Sequence, residues 1–208
     1  ERNRQHSEAE KAKTRSRGHR IGTPGVIGLR QIINEVQGFA PYLADRRVLD
    51  LIESFFGAWA RISCTDCVAN MPGNERGYWH ADWPYNQTNA SHIPAPYPDA
   101  VLHLATICMI TPFTAETGGT LVVPGSHRWA IIPPSSRPTI EGMFGADYPT
   151  VPVPLRAGSV SFHHSLTYHS SGPNQTDTRR RGYATHYMRS TSLEDPTIGA
   201  ARTVAAQE

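Results

Sequence analysis

Cysteine is scarce in this sequence, with only Cys64, Cys67 and Cys108 among 208 residues. So small and odd a number excludes a secreted disulfide scaffold and fits a reducing compartment, with the cytoplasm as the expected location. Long hydrophobic runs are also missing. No stretch approaches the roughly 20 apolar residues that cross a bilayer, so a membrane is not an expected partner. Charge of one sign is missing too, since 20 basic and 18 acidic side chains leave only +2. That excludes a whole-protein field for gripping nucleic acid. What is present, 38% hydrophobic residues in 208, suffices for one core-bearing domain.

The small basic excess is concentrated at the start. Residues 1–20 hold seven basic and three acidic side chains and almost no large apolar ones. Such a segment cannot bury enough surface to offset the ordering of its backbone. It is expected to be a flexible basic arm, with residues 21–208 forming a single domain. A nucleic-acid-binding role for the arm is the less favoured reading, and would show as salt-sensitive binding lost with the arm.

Val26, Leu29, Ile32, Ile33 and Val36 recur at helical spacing, which predicts a helix over 26–39. Asp45 can cap a second helix whose Val48, Leu49, Ile52, Phe55 and Phe56 share a face and which ends at Gly57. Beyond Gly57 the texture changes to short apolar runs broken by Pro and Gly: ARISCTDCVANM, AVLHLATICMI, GGTLVVPG, GSVSFHH and GYATHYMR. These read as strands. Helices followed by many short strands predict a mainly β sandwich or jelly roll with helices packed on one sheet. Two proline-rich loops, Pro84 to Asp99 and Ile132 to Pro154, are too long for hairpins and read as functional lids or disordered segments.

His80 and Asp82 lie in GYWHADWPY, where positions i and i+2 of a strand face the same side about 6 to 7 Å apart. Taken alone, the pattern is as well explained by a half-exposed aromatic strand. Company comes from HHSLTYHSSGPNQTDTRRRGYATHY, in which His169 precedes Ser-Ser-Gly-Pro-Asn and Arg180 stands eleven residues further on. Two imidazoles and one carboxylate on one face of an octahedral iron(II) leave three adjacent positions, enough for a bidentate 2-oxo acid and dioxygen. An arginine suits the far end of that acid, because its planar fork grips a carboxylate bidentately and stays charged when buried. Strand alternation turns Arg180 away from Arg179 and Arg181, so at most one side of the triplet faces a pocket.

Three ordered motifs, H-x-D, GGTLVVPGSHRW and H-S-S-G-P-N-x(5)-R, together resemble the phytanoyl-CoA dioxygenase family. The resemblance implies a double-stranded β-helix, a cupin-like jelly roll. It implies that His80, Asp82 and His169 bind Fe(II), that Arg180 binds the distal carboxylate of 2-oxoglutarate, and that Ser171 assists it. It also implies a 2-oxoglutarate-dependent dioxygenase that releases succinate and CO2 while oxidising a small organic molecule with O2, hydroxylation being the expected outcome. Asp82 excludes the related halogenases, which carry a small residue at the carboxylate position. Family members begin upstream of the helices seen here, so an N-terminal part is expected to precede Glu1.

The remaining candidates are weaker. His163 and His164 occupy adjacent strand positions, so one of them must look inward. The favoured role is a core histidine, or one that holds a metal ligand by hydrogen bond. The Gly118–His127 stretch confers shape rather than chemistry, and His127 is not expected to be a ligand. Cys64 and Cys67 lack a second pair for zinc and read as packing thiols. Tyr78, Trp79, Trp83, Tyr85 and Tyr97 are either pocket walls or ordinary core. His92, His103 and His186 carry no pattern. A non-catalytic or zinc-loaded jelly-roll binding protein is the alternative, separated from the oxygenase by co-substrate turnover.

Overall fold

The computed structural model of the protein describes residues 25–30, 33, 36–75, 77, 79–82, 101–129 and 149–190. The basic arm, most of the two long loops, His92 and the aromatic residues Tyr78, Trp83, Tyr85 and Tyr97 lie outside the described residues.

Two antiparallel sheets face each other. The larger takes β1 (Val26–Arg30), β2 (Ala60–Asn70), β8 (Arg180–Arg189), β3 (His103–Met109) and β6 (Val160–His164) in that spatial order. The smaller takes β5 (Val151–Val153), β4 (Thr120–Val122) and β7 (His169–Ser171). Segments well separated in sequence thus alternate within each sheet, which is the jelly-roll arrangement expected from the strand-rich texture.

The helix expected over 26–39 is not formed as such. Val26–Arg30 is a strand, paired antiparallel with β2 from Val26↔Asn70 to Arg30↔Asp66. Its burial alternates at first, with Val26 buried, Ile27 exposed and Gly28 buried. Helical spacing there competes with an open edge of β2, and the cross-strand ladder satisfies the backbone of β-branched Val26 and Ile27 better than an isolated turn of helix. Helical backbone is found later in the span, at Ile33, and then as a 3₁₀ turn at Gln37–Phe39 and a short α1 (Ala40–Leu43).

The second helix, α2 (Arg46–Phe56), forms as its signals predict. The Asp45 carboxylate accepts the Arg47 N–H at 2.9 Å, and Gly57 closes the end with φ 74°. Val48, Ile52 and Phe56 are buried against Leu104 of β3 and Tyr187 of β8. Phe55, expected on that face, is instead 43% exposed. Burying each of the three core side chains contributes about 1.5–3 kcal/mol, so the helix stiffens the outer face of the larger sheet. The inner face of that sheet is left for the site.

Candidate metal centre

Gly77 to Asp82 runs beside β7. The Gly77 amide donates to Ser171 O at 2.8 Å, and His80 and His169 exchange both backbone hydrogen bonds at 3.0 and 2.9 Å. Alternation then divides the segment. Trp79 and Ala81 are buried in a cluster with Val123 and Tyr168, so Trp79 is core rather than a pocket wall. His80 and Asp82 turn to the other side, where His80 Nε2 lies 3.5 Å from Asp82 Oδ1 and His169 Nε2 lies 3.8 Å from the same oxygen. The three groups offer ligand atoms all within 4.8 Å of one another. Among the described residues no other His, Cys, Asp or Glu joins them in such a group.

The protonation states favour ligation. His169 Nδ1 lies 2.9 Å from the Thr167 carbonyl oxygen, which can only accept, so the proton sits on Nδ1 and Nε2 presents its lone pair. Burial pushes this imidazole down to about 3, so it is neutral at physiological pH. For Asp82, burial alone would raise the carboxyl. The imidazoles gathered around it, His163 by hydrogen bond, reverse that effect and hold it well below the usual carboxylate range. One carboxylate and two imidazoles face a common point.

Two residues along β7 from His169, Ser171 Oγ accepts a hydrogen bond from Arg180 Nη2 at 2.8 Å. Arg180 is 4% exposed, and its Cζ lies 4.2 Å above the Phe113 ring. Burial pulls its guanidinium down to about 10, which leaves it a cation at neutral pH. Its Nε has no hydrogen-bond partner. Arg179 and Arg181 are exposed, as alternation requires. Gly182 makes the arrangement possible, because a Cβ there would lie 2.9 Å from Phe113 Cζ.

A buried amide, for which the sequence carried no signal, ties this clasp together. Asn70 is the cross-strand partner of Arg180 and is fully buried. Its Nδ2 donates to Gly118 O at 3.2 Å and to Gly172 O at 2.9 Å, while its Oδ1 accepts from Asn74 at 2.8 Å. Gly172 follows Ser171, so the ring from Arg180 through Ser171, Gly172 and Asn70 closes on itself. Gly118, at φ 73°, has no room for a side chain, since a Cβ would come within 2.3 Å of Asn70 Nδ2. This is the shape role expected of the Gly-Gly motif. Asn70→Ala would leave two buried carbonyls unpaired at about 1–3 kcal/mol each, so denaturant unfolding is expected to show a loss of about 2–6 kcal/mol. An unchanged midpoint would show that water replaces the amide.

The other candidates separate cleanly. His163 faces inward, with Nε2 3.2 Å from Asp82 Oδ2. His164 faces away, its Nδ1 accepting the Leu166 N–H at 3.1 Å. His127 lies near His164, with ring centroids 5.5 Å apart, and takes no part in the donor group. Cys64 and Cys67 pair in register with His186 and Tyr183, on opposite faces of β2. Burial pushes the Cys67 thiol up to about 11, which suits packing. His186 was missed by sequence reasoning, although strand alternation from Arg180 brings every second residue of β8, and hence His186, to the inner face. It is buried, and it senses the charge of Asp82.

Known proteins share this fold. The structure superposes on the epimerase SnoN, solved with Fe3+, alpha-ketoglutarate and nogalamycin RO, with a TM-score of 0.67 at 22% identity, covering 94% of this chain and 77% of that one. HygX from Streptomyces hygroscopicus, solved with nickel and 2-oxoglutarate, gives a TM-score of 0.65 at 16% identity over 90% of this chain and 79% of that one. These likenesses establish the jelly-roll fold. In sequence the chain is 30% identical over 112 residues to the dioxygenase trt7 of Aspergillus terreus, covering 54% of this chain and 35% of that protein. It is 26% identical over 153 residues to a probable alpha-ketoglutarate-dependent hypophosphite dioxygenase of Stutzerimonas stutzeri, covering 66% of this chain and 50% of that protein. The chain therefore spans between about a third and a half of the length of these two relatives. A family model matches much further, from residue 4 to residue 182, and takes in the H-x-D, Gly-Gly and H-S-S-G-P-N motifs together. On that match the chain belongs to the phytanoyl-CoA dioxygenase (PhyH) family.

Proposed function

We propose that the protein is an Fe(II)- and 2-oxoglutarate-dependent oxygenase that binds iron through His80, Asp82 and His169 and holds the co-substrate's far carboxylate with Arg180 and Ser171. One observation carries the reading. β7 presents both His169, a member of the three-donor group, and Ser171, which is bonded to the buried Arg180. Positions i and i+2 on a strand lie about 6 to 7 Å apart on one face, a span that a five-carbon dicarboxylate can bridge from a metal to a cation. The donor set fits iron: neutral imidazole nitrogen and ionised carboxylate on one side of a common point are what a ferrous centre with open positions requires. The unpartnered Nε of Arg180 fits a carboxylate.

Bound iron supplies the activation of dioxygen and the oxidative decarboxylation of 2-oxoglutarate to succinate and CO2. The chain's own residues prepare for it. Asp82 contributes negative charge at the metal, His169 keeps its proton on Nδ1, and Ser171 fixes one edge of the guanidinium so that the rest can meet the acid. Phe113 and the buried β8 residues exclude water, which strengthens every charge interaction inside. The substrate is read as a small organic molecule and hydroxylation as the outcome. The matched proteins, with an epimerase and a hypophosphite dioxygenase among them, act on diverse targets, and no residue described here selects one. No helix among the described residues is long and apolar enough to cross a membrane.

Adding Fe(II) and 2-oxoglutarate without oxygen is expected to produce a weak visible charge-transfer band, because chelation through the keto group couples the metal to an acceptor orbital. Zinc in place of iron should produce none. If both components bind and no band develops, the non-catalytic jelly-roll alternative is favoured. A substrate screen reading succinate release would then follow only from a positive result.

A further inference from the structure

We propose that His163 is a positioning residue for Asp82, holding its outer oxygen so that the carboxylate meets iron through one oxygen only. The proposal rests on the reading of His80, Asp82 and His169 as the iron site.

The two oxygens of Asp82 have different company. Oδ1 is the atom nearest both ligand imidazoles, at 3.5 Å from His80 Nε2 and 3.8 Å from His169 Nε2. Oδ2 lies 3.2 Å from His163 Nε2. An ionised carboxylate has no proton to give, so this contact requires the proton on His163 Nε2. A nitrogen that carries a proton has no lone pair for a metal, which separates His163 from the ligands although its ring centroid is only 5.0 Å from that of His169.

The residue that follows the strand carrying His163 also holds the backbone of Asp82. The Asp82 N–H donates to Ser165 O at 2.8 Å, and the Ser165 N–H donates to His103 O at 3.2 Å. Ser165 Oγ lies 2.6 Å from His103 Nδ1, and His103 Nε2 lies 2.8 Å from Ser63 Oγ. Ser165 and His103 are 0% and 1% exposed. Asp82 is thus gripped at its amide by Ser165 and at its outer oxygen by His163, both from the end of β6. His163 sits opposite Ala105, a fully buried small residue that leaves room for the ring.

The consequence concerns open positions at the metal. A carboxylate released at Oδ2 can rotate and bind through both oxygens, taking a place that a chelating 2-oxo acid or dioxygen needs. Holding Oδ2 therefore preserves the vacant face as well as the ligand's orientation.

The test uses the full chain and the metals alone. His163→Phe keeps a ring of similar size and removes the donor, while His163→Gln keeps an N–H able to reach Oδ2. Fe(II) affinity, measured by chelator competition, is expected to fall about 10- to 100-fold in His163→Phe, in line with other outer partners of metal ligands. His163→Gln should recover most of the loss. Pulsed EPR of the Cu(II)-loaded proteins should count two coordinated imidazoles in the wild type and still two in His163→Phe. Three in the wild type and two in the variant would make His163 a ligand and overturn the proposal. Unchanged Fe(II) affinity in a folded His163→Phe would also overturn it, reducing the contact to packing. Should that variant fail to fold, the comparison of His163→Ala with His163→Gln decides in the same way. A wild-type protein that binds no Fe(II) would refute the iron reading itself, and is told apart because it requires no variant.

Discussion

Replacing any one of His80, Asp82 or His169 by alanine is expected to abolish Fe(II) binding at the site and with it all iron-dependent turnover. The three groups are a minimum. Among the described residues they form the one group of three or more donors whose ligand atoms all lie within 4.8 Å of one another, and two protein ligands do not define a face on an octahedral ion. Asp82→Ala should be the most severe, because it removes the negative charge that compensates the metal and leaves several imidazoles around an emptied point. His169→Ala removes the nitrogen whose tautomer the Thr167 carbonyl sets. His127→Ala and His164→Ala are the controls, since neither belongs to the group, and both should bind iron as the wild type does. The measurement is Fe(II) retained per chain together with succinate formed. Full activity in any one ligand variant would mean that the ligand is elsewhere, with His163 the first residue to examine.

Arg180→Ala is expected to weaken 2-oxoglutarate binding about ten- to a hundredfold or more while Fe(II) affinity hardly changes. A hydrogen bond to a charged group is worth about 1.5–3 kcal/mol, and about 1.4 kcal/mol is a factor of ten in affinity. The upper part of that range applies here because Arg180 is 4% exposed and its guanidinium is packed on Phe113, so the bond forms away from screening water. Arg180→Lys should recover only part of the loss, since an ammonium cannot reproduce the fork and cannot reach Ser171 and the acid in the same way. Arg179→Ala and Arg181→Ala serve as neighbours that face solvent, and both should leave the co-substrate dependence nearly intact. Titration of 2-oxoglutarate against the Fe(II)-loaded protein reads the effect directly. A silent Arg180→Ala beside a large loss at either neighbour would move the co-substrate site off this strand face.

His80 and Asp82 are two residues apart in a segment that bridges β7 at His80, so a period of two was enough to place both on one side, and the observed 3.5 Å contact agrees. The same period separated Arg180 from Arg179 and Arg181, and predicted that one of His163 and His164 looks inward. Capping chemistry at Asp45 and Gly57 bounded α2 correctly. Such features are legible because they depend on neighbours in the chain, where backbone geometry fixes the relation.

Val26–Arg30 carried helical spacing, yet β2 offered it a ladder, and no local rule can see a strand that lies some forty residues away. Phe55 counted as part of the α2 core face, but which of two adjacent phenylalanines turns inward depends on where β3 and β8 lie beneath the helix. Asn70 looked like an ordinary polar residue at a strand end, and its importance comes entirely from the carbonyls of Gly118 and Gly172 that the fold brings to it.

Chain order alone carries the residue types and their spacing: an extended segment with His80 and Asp82, a later strand with His169 and Ser171, and an arginine beyond them. Their meeting depends on the assembled fold, which also sets His163 rather than His164 against Asp82 and clamps Arg180 between Ser171 and Phe113. Side-chain direction along one strand follows from backbone alternation, whereas contact between strands follows from register. In a jelly roll, register pairs segments distant in sequence, such as β2 with β8, and it is set by the packing of the whole core rather than by any stretch within it.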